Sequence, residues 1–160
     1  MLEVRWHERR NEGTSLSAQD LASLDSPRLP AGFAVGLDLA SVEDVQLSIT
    51  AHADRYLRRV YTDRELVDCR NRDGTPNARR LAARFAAKES TMKALRLADE
   101  ALPWRSIGVR SDGFGRPAIE LSGSAEELAR ARGVKSLDVS LTHEGPFAAA
   151  VVVAQFGGAD

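Results

Sequence analysis

The residues best placed to do chemistry lie between Arg79 and Arg96. That span holds six basic residues, Arg79, Arg80, Arg84, Lys88, Lys93 and Arg96, and one acid, Glu89. Cations at this density suit a polyphosphate, whose oxygens accept charge-assisted hydrogen bonds from guanidinium and ammonium groups. Residues four apart share a helix face, so the heads of Arg84 and Lys88 are expected to converge, and Glu89 stands one turn before Lys93. One carboxylate among cations suits a divalent ion beside a diphosphate. Magnesium takes one or two protein carboxylates and fills its shell with water and phosphate oxygens. The same spacing also describes an ordinary surface ion pair, Glu89 to Lys93, worth well under ~1 kcal/mol. A second acid, Asp38, stands in the apolar run FAVGLDL. A buried carboxylate is costly alone, so Asp38 needs a partner or a solvated strand end. Spacing leaves open whether Asp38 and Glu89 meet.

These groups need elements to position them. Residues 33–39 read as a buried strand. Residues 42–60 follow a helical period through Val42, Val45, Ile49, Ala53, Tyr56 or Leu57, and Val60. Thr62 and Glu65 have capping-box spacing and predict a short helix to about Arg70. Residues 77–97 predict the strongest helix, with Leu81, Phe85, Met92 and Leu95 along one stripe and Asn77 as its cap. A strand over 104–110, a turn at Asp112-Gly113-Phe114-Gly115 and a return strand AIELSG predict a hairpin. A helix from Ser124 to Arg132 ends at Gly133, and two strands, LDVSLTH and FAAAVVVAQ, flank Glu144-Gly145-Pro146. Hairpins mixed with helices predict an α+β domain with a largely antiparallel sheet packed on the long helix. Residues 1–31, with a possible short helix at Ser17–Leu24, read as an N-terminal extension, 32–156 as the domain and 157–160 as a tail.

Bulk composition narrows the function classes. The chain has 160 residues, 43% of them hydrophobic, which is enough for a single folded domain with a real core. A net charge of -1 argues against a general nucleic-acid binder. One cysteine, Cys69, allows no intrachain disulfide and fits a reduced, cytoplasmic protein. Its Arg-rich surroundings would favour the thiolate, although no sequence feature supplies a partner base. No stretch has the apolar length of a secretory signal or a membrane span. His143 follows a strand and reads as structural on its own, while His7 and His52 carry no context. No Walker loop, nucleophile elbow or His/Cys metal spacing is present. Trp104, Phe114 and Phe147 read as packing residues.

Five segments carry a family resemblance. They are GLDLASVEDV, RYLRRVYTDRE, RFAAKESTMKAL, WRSIGVRSDGFGRPAIELSG and LDVSLTHEGPFAAAVVVAQ. In this order and spacing, from about Gly32 to Gln155, the chain resembles holo-acyl-carrier-protein synthase, the small branch of the 4'-phosphopantetheinyl transferases. The resemblance implies that Asp38 and Glu89 bind Mg²⁺ with the diphosphate of coenzyme A. It implies that Lys93 contacts the phosphates, that Arg84 and Lys88 help hold the nucleotide, and that His143 lies at the coenzyme A pocket. Asp38, Glu89 and Lys93 would then be the catalytic set. The helix with Arg55, Arg58 and Arg59 would lie near the apo acyl or polyketide carrier protein. A carrier serine would attack the β-phosphorus, releasing adenosine 3',5'-bisphosphate, with Glu89, Asp38 or a water on the metal as the base. The implied assembly is a homotrimer with sites between subunits. After the long helix the chain reads ALRLADEALPW, without the family's glycine turn, and Asp44 stands where the family often has a basic residue. These departures motivate one alternative, a carrier-binding module without transfer; a Mg-dependent hydrolase of the coenzyme A diphosphate is a second.

Overall fold

The computed structural model describes residues 32–96, 102–111 and 115–157. The expected extension, the Ser17–Leu24 helix and the Asp112–Phe114 part of the turn lie outside the described residues. In chain order the elements are strand β1 (Phe33–Ser41), helix α1 (Val42–Val60), helix α2 (Asp63–Asp68) and helix α3 (Ala78–Ala94). A 3-10 turn (Trp104–Ser106), strands β2 (Ile107–Ser111) and β3 (Pro117–Leu121), helix α4 (Gly123–Ala131), and strands β4 (Val134–Glu144) and β5 (Phe147–Phe156) follow. One antiparallel sheet runs β1-β5-β4, and β2 and β3 form a separate hairpin. The α+β expectation holds.

Local chemistry explains most boundaries. Ser41 Oγ accepts from Asp44 N–H at the start of α1. Thr62 and Glu65 form the reciprocal capping box that opens α2. Asn77 accepts from Arg80 N–H to open α3. Two expectations needed revision. Residues 104–106 coil into a 3-10 turn before β2 begins, with Ser106 bonding back to Pro103. Helix α1 is broken at Ala53, whose φ of 42° is a left-handed value that a β-carbon disfavours.

Helix α3 lies across β1 and β5, wrapped on most sides. Ala82, Ala83, Ala86, Ala87 and Ala94 are buried together with Leu81, Ser90 and Thr91. Small side chains let the helix come close to the sheet, and Gly36 shows how close. A β-carbon on Gly36 would lie 1.8 Å from the Ser90 carbonyl oxygen. Ser90 Oγ donates to the Ala150 carbonyl on β5 at 2.9 Å, and Ala150 is the register partner of Asp38. Strand β1 was expected to be buried, yet only one face is. Ala34, Gly36 and Ala40 turn inward, whereas Phe33, Val35, Leu37 and Leu39 are exposed. Phe147 and Val151 of β5 are exposed as well.

Candidate functional site

The basic run on α3 divides into three environments. At 3.6 residues per turn, Arg84 and Lys93 point about 180° apart around the helix. Lys93 reaches β1, where Nζ donates to Asp38 Oδ1 at 2.8 Å and to the Leu37 carbonyl at 3.0 Å. Glu89, half-buried one turn earlier, stands near the same aspartate. Burial pushes the Glu89 carboxyl upward, the negative charge of Asp38 pushes it further, and Lys93 pulls it back. Asp38 and Glu89, far apart in sequence, therefore come near enough to act on each other electrostatically, and Lys93 pairs with Asp38. The simple Glu89–Lys93 surface pair is not what forms, since Lys93 pairs across to the strand.

Gly36 and Ser90 explain this meeting. The missing side chain at Gly36 lets β1 lie on the α3 backbone, which sets Asp38, two residues on, beside Glu89 and Lys93. Among the described residues, no group of three or more His, Cys, Asp or Glu side chains could hold a metal ion. Two carboxylates suit magnesium, which prefers oxygen ligands, better than zinc. The placement of a second acid, Glu89, close to the Asp38–Lys93 pair is what favours a cation there.

Arg84 faces the other way, onto a cleft of about 670 Å³. Arg64, Arg80, Ser111, Thr142 and His143 line it too, as does Asp68, which pairs with Arg64 at 3.2 Å. Arg84 Nη2 reaches Ser111 Oγ at 3.4 Å, while its Nε is buried with no hydrogen-bond partner. A buried guanidinium donor on the wall of an arginine-lined cleft suits an anion. His143 thus shares a cleft with Arg84.

Lys88 departs from expectation. Its side chain is fully buried, and Nζ is paired with Glu65 at 2.9 Å. It also donates to the carbonyls of Trp104 and Ile107. It therefore does not converge with Arg84, and it has no exposed face to offer a nucleotide. The two residues are one turn apart, but the tertiary partner decides where a long side chain goes. Glu65 carries a second duty that its capping-box spacing concealed. Its Oε1 accepts from Val109 N–H at 3.1 Å, and its Oε2 accepts from Thr62 N–H at 2.8 Å. Burial lowers the Lys88 ammonium, and Glu65 opposes that shift.

Cys69 also differs from its sequence surroundings. It is buried, and burial pushes the thiol up to about 11 despite nearby Arg84 and Arg80. Trp104 stacks on Phe85 with centroids 5.0 Å apart, a packing role as expected. Of the α1 arginines, Arg55, Arg58 and Arg59 are exposed. No helix among the described residues is long and apolar enough to cross a membrane.

Comparison with known proteins gives these features a family. A family model described as the 4'-phosphopantetheinyl transferase superfamily matches residues 34–152. The holo-[acyl-carrier-protein] synthase of Myxococcus xanthus is 41% identical over 125 residues, covering 78% of this chain and 95% of that protein. The synthase of Halothermothrix orenii is 34% identical over 123 residues, covering 77% and 97%. Among solved structures, the Helicobacter pylori holo-[acyl-carrier-protein] synthase in complex with coenzyme A gives a TM-score of 0.66 at 27% identity, covering 76% of this chain and 99% of that one. Mycobacterium tuberculosis acyl carrier protein synthase gives 0.61 at 35% identity, covering 78% and 97%. With a family match across most of its length, the chain belongs to the 4'-phosphopantetheinyl transferase superfamily.

Proposed function

We infer that this protein is a holo-acyl-carrier-protein synthase, which transfers the 4'-phosphopantetheine of coenzyme A to a carrier-protein serine. The observation that carries the reading is the meeting of Asp38, Glu89 and Lys93 on the inner face of β1. The serine oxygen forms a bond to the β-phosphorus, the β-phosphorus–oxygen bond of the diphosphate breaks, and adenosine 3',5'-bisphosphate leaves. Such transfer depends mainly on positioning and charge neutralisation. Asp38 and Glu89 would hold Mg²⁺, which supplies charge to the diphosphate when bound. Lys93 would contact the phosphates from the same side. The serine proton would pass to Glu89, to Asp38 or to a water on the metal.

Arg84 and His143 would hold the nucleotide end of coenzyme A in the arginine-lined cleft. Arg84 and Lys93 lie on opposite sides of α3, so one copy offers the acidic half-site and the cleft to different neighbours. This supports sites shared between subunits, in the homotrimer that the family resemblance implies. The apolar outer face of the sheet supports it further, because Leu37 and Leu39, which flank Asp38, are 59% and 62% exposed. The acceptor would be an acyl or polyketide carrier protein, with Arg55, Arg58 and Arg59 facing its acidic surface.

The test is intact-protein mass spectrometry of an apo carrier incubated with this protein, coenzyme A and Mg²⁺. A carrier heavier by one phosphopantetheine, lost when EDTA is added, is expected. Free phosphopantetheine with an unmodified carrier would overturn transfer in favour of hydrolysis. Light scattering should give three copies, and Leu37→Asp with Leu39→Asp should give fewer.

A further inference from the structure

Lys93 touches the same carboxylate that would hold the cation. Its Nζ donates to Asp38 Oδ1 at 2.8 Å, and its side chain is half exposed. Glu89 lies close enough for the charges of Asp38 and Lys93 both to act on it. The site thus pairs two carboxylates with one built-in cation. A divalent ion placed between these acids meets the ammonium at close range. At separations of a few ångströms two like charges repel appreciably even in a well-solvated site. Two carboxylates then face three positive charges, and the excess is repulsive. A bound diphosphate reverses that balance, because it adds negative charge and gives Lys93 a second acceptor.

We propose that Lys93 is a coupling residue that makes metal and coenzyme A bind cooperatively, holding Asp38 against the metal alone and releasing it to the metal once the diphosphate arrives. The inference rests on the two-carboxylate metal reading given above. Its geometry favours a movable lysine. Among the described residues Lys93 is tethered by Asp38 and one carbonyl, and its half-exposed ammonium can swing toward a phosphate. Lys88, five residues earlier, could not do this, since it is sealed against Glu65. Coupling between two ligands is reciprocal, so the same lysine must raise coenzyme A affinity when the metal is present.

The test measures Mn²⁺ binding by electron paramagnetic resonance, with and without coenzyme A, on the full chain. In the wild type, coenzyme A should tighten Mn²⁺ by ~10-fold or more, within the usual range for coupled ligands. In Lys93→Met, Mn²⁺ alone should bind more tightly than in the wild type, and coenzyme A should tighten it by a smaller factor than in the wild type, the remainder coming from phosphate oxygens on the metal. Lys93→Arg, which keeps the charge, should keep the coupling. If Lys93→Met binds Mn²⁺ no more tightly than the wild type, or keeps the full coupling, the inference is overturned while the metal site stands. If Asp38→Asn binds Mn²⁺ as the wild type does, the metal reading itself falls and the inference falls with it. Circular dichroism on each variant confirms that the fold is retained.

Discussion

Two lysines five residues apart on α3 make ion pairs of nearly equal length and opposite character. Lys88 meets Glu65 at 2.9 Å with both side chains fully buried. Lys93 meets Asp38 at 2.8 Å with half of its own side chain in solvent. Distance does not distinguish them, and surroundings do. The buried pair has every nearby acceptor engaged, including two carbonyls from the segment before and at the start of β2. It locks α3 to α2 and β2. The exposed pair ties α3 to β1 at a place that a ligand can reach. One lysine holds the scaffold, and the other can be borrowed for chemistry.

That contrast can be broken at several points. Lys88→Met should cost ~3–5 kcal/mol of stability, because Glu65 would be left charged and buried without its partner. Urea unfolding measures the loss, and the double variant Lys88→Met with Glu65→Gln should recover part of it. Asp38→Asn and Glu89→Gln should each cut transfer by ~10²-fold or more while moving the melting temperature little. A large stability loss with activity per folded molecule unchanged would make the site acids structural as well.

Alkali tests the buried side in another way. The Cys69 thiol, beside Glu65, stands at about 11 against an ordinary 9.0. A raised folded pKa means the folded state keeps its proton longer. The associated stability is fully present below pH 9.0 and is lost as pH rises towards 11. The loss should be roughly 2–3 kcal/mol, and it should shrink in Cys69→Ala. Tyr61, also held protonated by burial, extends the loss to higher pH. The smallest effect belongs to the half-exposed pair, where Lys93→Met should cost less stability than Lys88→Met, because only Asp38 of that pair is largely buried. A larger loss would place Lys93 with Lys88 as a scaffold lysine.

Much of this architecture was readable from residue types. Cap residues Thr62 and Asn77 mark the ends where they act. The alanine-rich α3 and the Glu144-Gly145-Pro146 turn between β4 and β5 appear as expected. What could not be read depends on tertiary placement. Lys88 belongs to a basic run, and a basic run looks solvated until Glu65 is known to lie beneath it. The break in α1 occurs at Ala53, where neither glycine nor proline announces it. The one-sided burial of β1 was hidden because its outward residues are as apolar as a core strand's. Asp38 and Glu89 were each visible as candidates, but their meeting needed the close approach of strand and helix.

That approach at Gly36 has an entropic consequence. Because main chain rests against main chain there, Asp38 and Glu89 are brought together by rigid elements and not by the curling of long, flexible side chains. Asp38, a short side chain on a fixed frame, has few rotamers to give up when a ligand arrives. Binding free energy that would otherwise be spent on ordering the acids is left for holding the ligand itself. A single hydrogen atom in place of a methyl group, remote from any reacting bond, is thus part of what keeps the site preorganised.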